Sequence, residues 1–275
     1  MTTFQKVIKY LAIALAISLI VAIIGGILGA IGLFGGFFTG DDITGDMQTY
    51  SVCTEIRNLD IEINAADLYV KEADAFSIES NLKNLKVDEK NGHLSIKDST
   101  KIKLSASSSY EGAVLTIYVP VGTVLENVNL TTGAGRLTVD HLSAETIDFE
   151  LGAGEVSINT LVATKSADIE GGAGRITVSG GALKNLDMDM GIGELYLTSA
   201  LSGDCQLDMG VGKSNITLIG NQNDYKLGLE KGLGSISVDG KDVSDFGSSG
   251  NGTNKVEISG GVGTVNVRFE EAKAE

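Results

Sequence analysis

The sequence predicts an all-β protein: a parallel β-helix (β-solenoid) with coils of about 20 residues, preceded by one N-terminal transmembrane α-helix. Three observations carry this. A Gly-x-Gly triplet recurs, with intervals of 19, 20, 19, 19, 22 and 29 residues between the first glycines. Apolar and polar residues alternate with period 2 on both sides of each triplet, the pattern of strands rather than helices. Residues 11–38 are almost wholly apolar.

Residues 1–9 form the predicted cytoplasmic N-terminus, with Lys6 and Lys9 and no acidic residue. The predicted transmembrane helix spans 10–38. Its 28-residue apolar run would extend about 42 Å as a helix, beyond the roughly 30 Å hydrocarbon core. A cleaved signal peptide has an apolar run of about 7–15 residues, and Leu28-Gly29-Ala30 is a poor cleavage site, so an uncleaved anchor is expected. No Leu-x-x-Cys lipidation motif occurs, because Cys53 follows Tyr50-Ser51-Val52. Lysines before the helix and Asp41, Asp42 and Asp46 after it orient the N-terminus to the cytoplasm. The rest of the chain is then expected outside a plasma membrane that it crosses once. Gly25-x-x-x-Gly29 and Gly32-x-x-x-Gly36 share a helix face suited to self-association. Residues 39–54 read as a juxtamembrane linker.

The solenoid is expected over 55–270, with a tail at 271–275. Its turn glycines are Gly133 and Gly135, Gly152 and Gly154, Gly172 and Gly174, Gly191 and Gly193, Gly210 and Gly212, Gly232 and Gly234, and Gly261 and Gly263. Stacked on the first glycine of each pair, the repeats give apolar columns. Three residues before it stand Leu130, Phe149, Ile169, Met188, Leu207, Leu229 and Ile258; six after it stand Val139, Ile158, Val178, Leu197, Ile216, Val238 and Val267. Each repeat thus supplies two strands and two turns. The chain advances about 4.8 Å per coil, and the columns stack into a core that only neighbouring coils can bury. Residues 59–70 have the same shape with Ala65 and Ala66 at the corner, and Ala113–Val119 is a strong strand ended by Pro120. Residues 101–112 read as a strand and an exposed loop. The 29-residue interval places an excursion loop at 239–253.

Composition narrows the function. Net charge is −15, which repels phosphate backbones and excludes nucleic acid as a partner. There is no Trp, so sugar-stacking platforms are scarce, and with only two Cys and two His a Cys/His zinc site is nearly impossible to assemble. Gly171-Gly172-Ala173-Gly174-Arg175-Ile176 lacks the Asp of a calcium nonapeptide, and Gly212-Lys213-Ser214 lacks the upstream glycine of a phosphate loop. Cys205 falls in an inward column beside Leu186 and Leu227, and Met188, Met190 and Met209 read as core fillers.

Two outward features remain. Asp148, Glu150, Asp168, Glu170, Asp187, Asp189 and Asp208 form adjacent carboxylate ladders. Like charges so placed repel, so this face is expected either to be simply solvated or to recruit cations: weak Ca²⁺, or a cationic polymer. No other cofactor and no catalytic residue is indicated. Arg136, Glu155, Arg175, Glu194 and Lys213 alternate in sign in the column after the second glycine and read as a structural ion-pair ladder.

Thr116-Ile117-Tyr118-Val119-Pro120, then Asn129-Leu130-Thr131-Thr132-Gly133-Ala134-Gly135, then recurring Gly-Ala-Gly coils, resemble domain of unknown function 4097. That bacterial family, labelled as candidate adhesins, is built of β-strand repeats. The resemblance spans about 55–269 and implies a β-solenoid in the cell envelope, with no catalytic residues to carry over. The combined expectation is a non-enzymatic adhesion or envelope-interaction module. Its partners would be the bilayer and a cell-wall polymer or envelope membrane protein. A regulatory subunit of an envelope-stress system is the alternative. A polysaccharide-acting β-helix enzyme is the third reading, disfavoured by the missing Trp and the regular coils.

Overall fold

Period-2 alternation is realised as strand nearly throughout. The computed structural model describes residues 43–100, 112–244 and 246–271. The helix expected at 10–38, and the strand and loop expected at 101–112 apart from Gly112, lie outside these. Among the described residues no helix is long and apolar enough to cross a membrane. The strands are β1 (Thr44–Ser51), β2 (Asn58–Ala73), β3 (Ser77–Leu82), β4 (Leu85–Lys90), β5 (His93–Asp98), β6 (Val114–Pro120), β7 (Leu125–Val178), β8 (Gly181–Lys184), β9 (Leu186–Ser202), β10 (Asp204–Ile219), β11 (Tyr225–Glu230), β12 (Leu233–Val238), β13 (Lys241–Asp242), β14 (Phe246–Ser249) and β15 (Asn254–Glu270). Strand β7 alone runs 54 residues, because the glycine corners turn the chain without breaking its extended geometry.

The coils stack in parallel register. Leu59 and Ile61 of β2 pair with Val128 and Leu130 of β7. Ile169 pairs with Met188, and Met188 with Leu207. Every residue of these columns is buried. Each buried Leu, Ile, Val or Phe contributes roughly 1.5–3 kcal/mol relative to exposure, so the columns are the main source of stability. A third inward run, absent from the two-strand expectation, completes each coil. Ala163 pairs with Leu183, and Leu183 with Leu201, all buried.

The corner explains the glycines. Gly193 has φ 145°, and a Cβ on it would overlap the carbonyl oxygen of Gly174 in the coil beneath. The first glycine of the pair, Gly191, has no positive φ, but its Cβ would overlap the oxygen of Gly172. One glycine is needed for conformation and approach together, the other for approach alone.

Chain order and spatial order differ at both ends, where sequence spacing suggests a simple succession. After β10 the chain passes outward to β11 and β12. It then returns through β13 and β14 and inserts β15 between β10 and the β11/β12 layer, so that Leu207 pairs with Ile258 and Ile258 with Leu229. The excursion expected at 239–253 therefore contains two strands, β13 against β12 and β14 against β11. The 22- and 29-residue intervals are this out-and-back path. At the other end β2 lies between β7 and an outer layer made of β5 and β6.

Antiparallel strands close the stack: β4 on β5, and β3 on β6 with β1 beyond it. Strand β1 lies within the stretch read as a linker. Between β1 and β2 the Glu89 carboxylate accepts from the Thr54 hydroxyl and from the backbone N–H of Cys53 (3.0 Å) and Thr54 (2.7 Å), which holds its carboxyl below the usual range. At the far end Tyr225 is buried; its hydroxyl donates to the Ile219 carbonyl (2.6 Å) and accepts from the Leu201 N–H (3.3 Å). Cys205 is buried and free, and burial pushes its thiol above the ordinary range; Cys53 is exposed and free. Met188 and Met209 are buried as expected, and Met190 is half-buried.

Candidate functional site

The carboxylate ladders come from strand alternation. Residues two and four before each corner point away from the core, so every coil adds two side chains to one outer face. The register brings them side by side: Asp168 against Asp187, Glu170 against Asp189, and Asp189 against Asp208. Asp148, Glu150, Asp168, Glu170, Asp187 and Asp189 are exposed, and Asp208 is half-buried. None of the seven forms an ion pair among the described residues. Glu150 accepts from Thr131 Oγ1 at 3.3 Å, and Asp208 accepts from Gln206 Nε2 at 2.9 Å.

Partial desolvation, then repulsion from Asp148, Asp187 and Asp189, raises the carboxyl pKa of Asp168 above its ordinary value. Asp189 is raised in the same way by desolvation, then by Asp208 and Asp187. No group of three or more His, Cys, Asp or Glu side chains among the described residues gathers closely enough to hold a metal ion. The face is a spread field of negative charge.

The field has ends. Toward the N-terminus, Lys97 Nζ lies 3.2 Å from Asp60 and 3.3 Å from Glu62. Toward the C-terminus, Lys255 lies 2.8 Å from Glu257. Stacking repeats in chain order puts Gly228 and Glu230 beside Gln206 and Asp208. The inserted β15 puts Glu257 and Ser259 there instead. The unequal glycine intervals were the only signal of this in the sequence.

The alternating ladder forms as predicted and extends one coil further. Arg136 lies 3.5 Å from Asp67 and 3.9 Å from Glu155. Arg175 lies 3.6 Å from Glu155 and 3.0 Å from Glu194. Lys213 follows in register with Glu194. Between the two ladders runs the corner itself, whose middle residues form an outward ridge. Ala173 pairs with Ile192, Ile192 with Val211, Val211 with Val262, and Val262 with Leu233. Ala65, which pairs with Ala134, is buried and lies outside the ridge. Ile192 and Val211 are 39% and 42% exposed.

Concave sites among the described residues are slight. The two best-formed depressions follow the glycine corner, each with a cavity volume of about 20 Å³. That is room for one water molecule, far below the roughly 300–1,000 Å³ of a small-molecule site. What these residues offer chemically is long charged or polar faces with side chains at fixed spacing.

A solenoid of Gly-x-Gly coils with charged outer ladders defines the class, and the family follows. The chain belongs to the Toastrack DUF4097 family, whose model matches residues 56–251. No curated protein matches it. Among solved structures, it is similar to a candidate cell adhesion protein from Clostridium sporogenes, with 14% identity, a TM-score of 0.38, and 82% of this chain and 99% of that chain covered. It is also similar to a candidate adhesin from Bacteroides fragilis, with 14% identity, a TM-score of 0.40, and coverage of 83% and 100%. A candidate adhesin from Parabacteroides distasonis gives 13% identity, a TM-score of 0.44, and coverage of 82% and 96%.

Proposed function

We propose that this chain is a membrane-anchored, extracytoplasmic β-solenoid that acts without catalysis, as an adhesion or cell-envelope interaction module. The observation that carries this reading is the uncompensated carboxylate field on a flat outer face, over coils whose depressions hold no more than a water. Such a face suits a long polymer or another surface, met at many weak contacts, rather than an enclosed substrate. Cationic groups of a wall polymer, or Ca²⁺ shared between the face and an anionic polymer, would relieve the repulsion within the ladders. Membrane attachment rests on residues 10–38, and the plasma-membrane location, with the N-terminus in the cytoplasm, rests on Lys6 and Lys9 before them. That same apolar segment supports the second reading, a regulatory subunit of an envelope-stress system acting through a partner membrane protein.

The test is binding of a soluble fragment, residues 43–271, to whole cells and isolated walls with and without a calcium chelator. Saturable binding supports adhesion, and its loss on chelation assigns the acidic face a cation-bridged role. Absence of binding in both conditions contradicts adhesion and favours the membrane regulator. Fractionation of the full chain tests the anchor: recovery in the soluble fraction would refute it.

A further inference from the structure

The geometry points to a homotypic interface: the glycine-corner ridge and the ion-pair ladder beside it pair with the same surface of a second copy, the two solenoids running antiparallel. The carrying observation is that two independent patterns are self-complementary about one centre, between the coils of Ala173 and Ile192. The first is size. The ridge is small on one side of that centre and bulky on the other, with Ala134, Ala153 and Ala173 followed by Ile192, Val211 and Val262. An antiparallel two-fold sets Ile192 against Ala173 of the second copy, Val211 against Ala153, and Val262 against Ala134, so the gap between the ridges stays even. A parallel pair would set Ile on Ile and Ala on Ala, and the Ala half would gape.

The second pattern is charge. About the same centre, Arg175 meets Glu194 of the second copy and Glu155 meets Lys213. The unlike signs that pair along one ladder therefore pair again across the interface. The acidic column on the ridge's other flank would meet its own copy unfavourably, so the contact leans toward the ladder and leaves the carboxylates in solvent. The seven ridge levels from Ala134 to Leu233 extend about 29 Å along the axis. A strip that long and one ridge wide falls at the low end of specific interfaces, which means a weak, reversible dimer. Its two N-terminal ends lie on opposite sides, as for chains reaching from facing surfaces. Combined with the adhesion reading, which it does not need, this makes another copy of the chain a partner of the module.

The test uses the full chain in detergent solution with Cys53→Ser to remove the exposed thiol. Two further variants, A153C and V211C, carry different tags. Under mild oxidation the mixture should give a mixed disulfide dimer at least about tenfold above either variant alone, because copies of position 211 lie three coils apart in the antiparallel pair. Adding K213E to both variants should cut the yield about fivefold. No mixed product, or self-linking of V211C, overturns the proposal. Sedimentation of the chain without added cysteines keeps the test independent of the variants' folding: a reversible monomer–dimer equilibrium in the micromolar range is expected, and a monomer throughout refutes the pairing. No envelope polymer is present in this experiment, so its failure leaves the adhesion reading to its own test.

Discussion

At the scale of single residues, backbone approach and charge spacing decide most. Gly193 stacks on the Gly174 oxygen at φ 145°. Gly193→Ala must give up both the conformation and the contact, so it should cost about 3 kcal/mol or more. Urea unfolding of residues 43–271 checks this, and an unchanged midpoint would show that the corner tolerates a Cβ. Asp168 behaves oppositely. Its raised pKa means that the folded chain binds this proton more readily than the unfolded chain does. Stability from this site is therefore present at low pH and is lost as pH rises through the carboxylate range. Asp168→Asn should then stabilise at pH 7 and have no effect near pH 3. The carboxylate is exposed, so the gain should be only about 0.5 kcal/mol. The two thiols should separate cleanly: Cys53 should react with a maleimide in the native chain, and Cys205 only after unfolding.

At the scale of elements, the coils were legible because their signals repeat. A column such as Leu130, Phe149, Ile169, Met188 and Leu207 names its own face, and a glycine that must clear a neighbouring carbonyl can hardly be anything else. The ion ladder from Arg136 to Glu194 and the carboxylate field were legible for the same reason. Three features were not. The third run, with Ala163, Leu183 and Leu201, is short and irregularly spaced. Strand β1 shows no apolar alternation, because its residues are mostly exposed and its pairing with β3 runs through the backbone. The insertion of β15 between β10 and β11 concerns which of two equivalent coils is the neighbour. Columns alone cannot decide that, since Leu229 and Ile258 fit beside Leu207 equally well.

This topology makes its own prediction. A chain ending at residue 253 lacks β15, so β10 loses its outer neighbour and the β11/β12 layer loses the strand it stacks on. Hydrogen exchange of that truncation should show residues 222–238 unprotected. In the intact domain the slowest amides should lie in β7, β9, β10 and β15, and the fastest in β1 and β13. Protection of 222–238 in the truncated chain would mean that the layers stack in chain order.

At the scale of the molecule, a parallel stack converts a repeat in sequence into arrays in space. One face is negative, one corner is apolar and tapered, and the ladder beside it is charge-balanced. The measurement that tests the functional account most directly compares two proteins on isolated cell walls. One is the soluble domain; the other carries Asp148→Asn, Asp168→Asn, Asp187→Asn and Asp189→Asn. All four side chains are exposed, so the variant should fold as well as the parent. The account predicts saturable binding by the parent, weakened at least about tenfold in the variant and reduced by salt. Equal binding by the two proteins, or none by either, would contradict it.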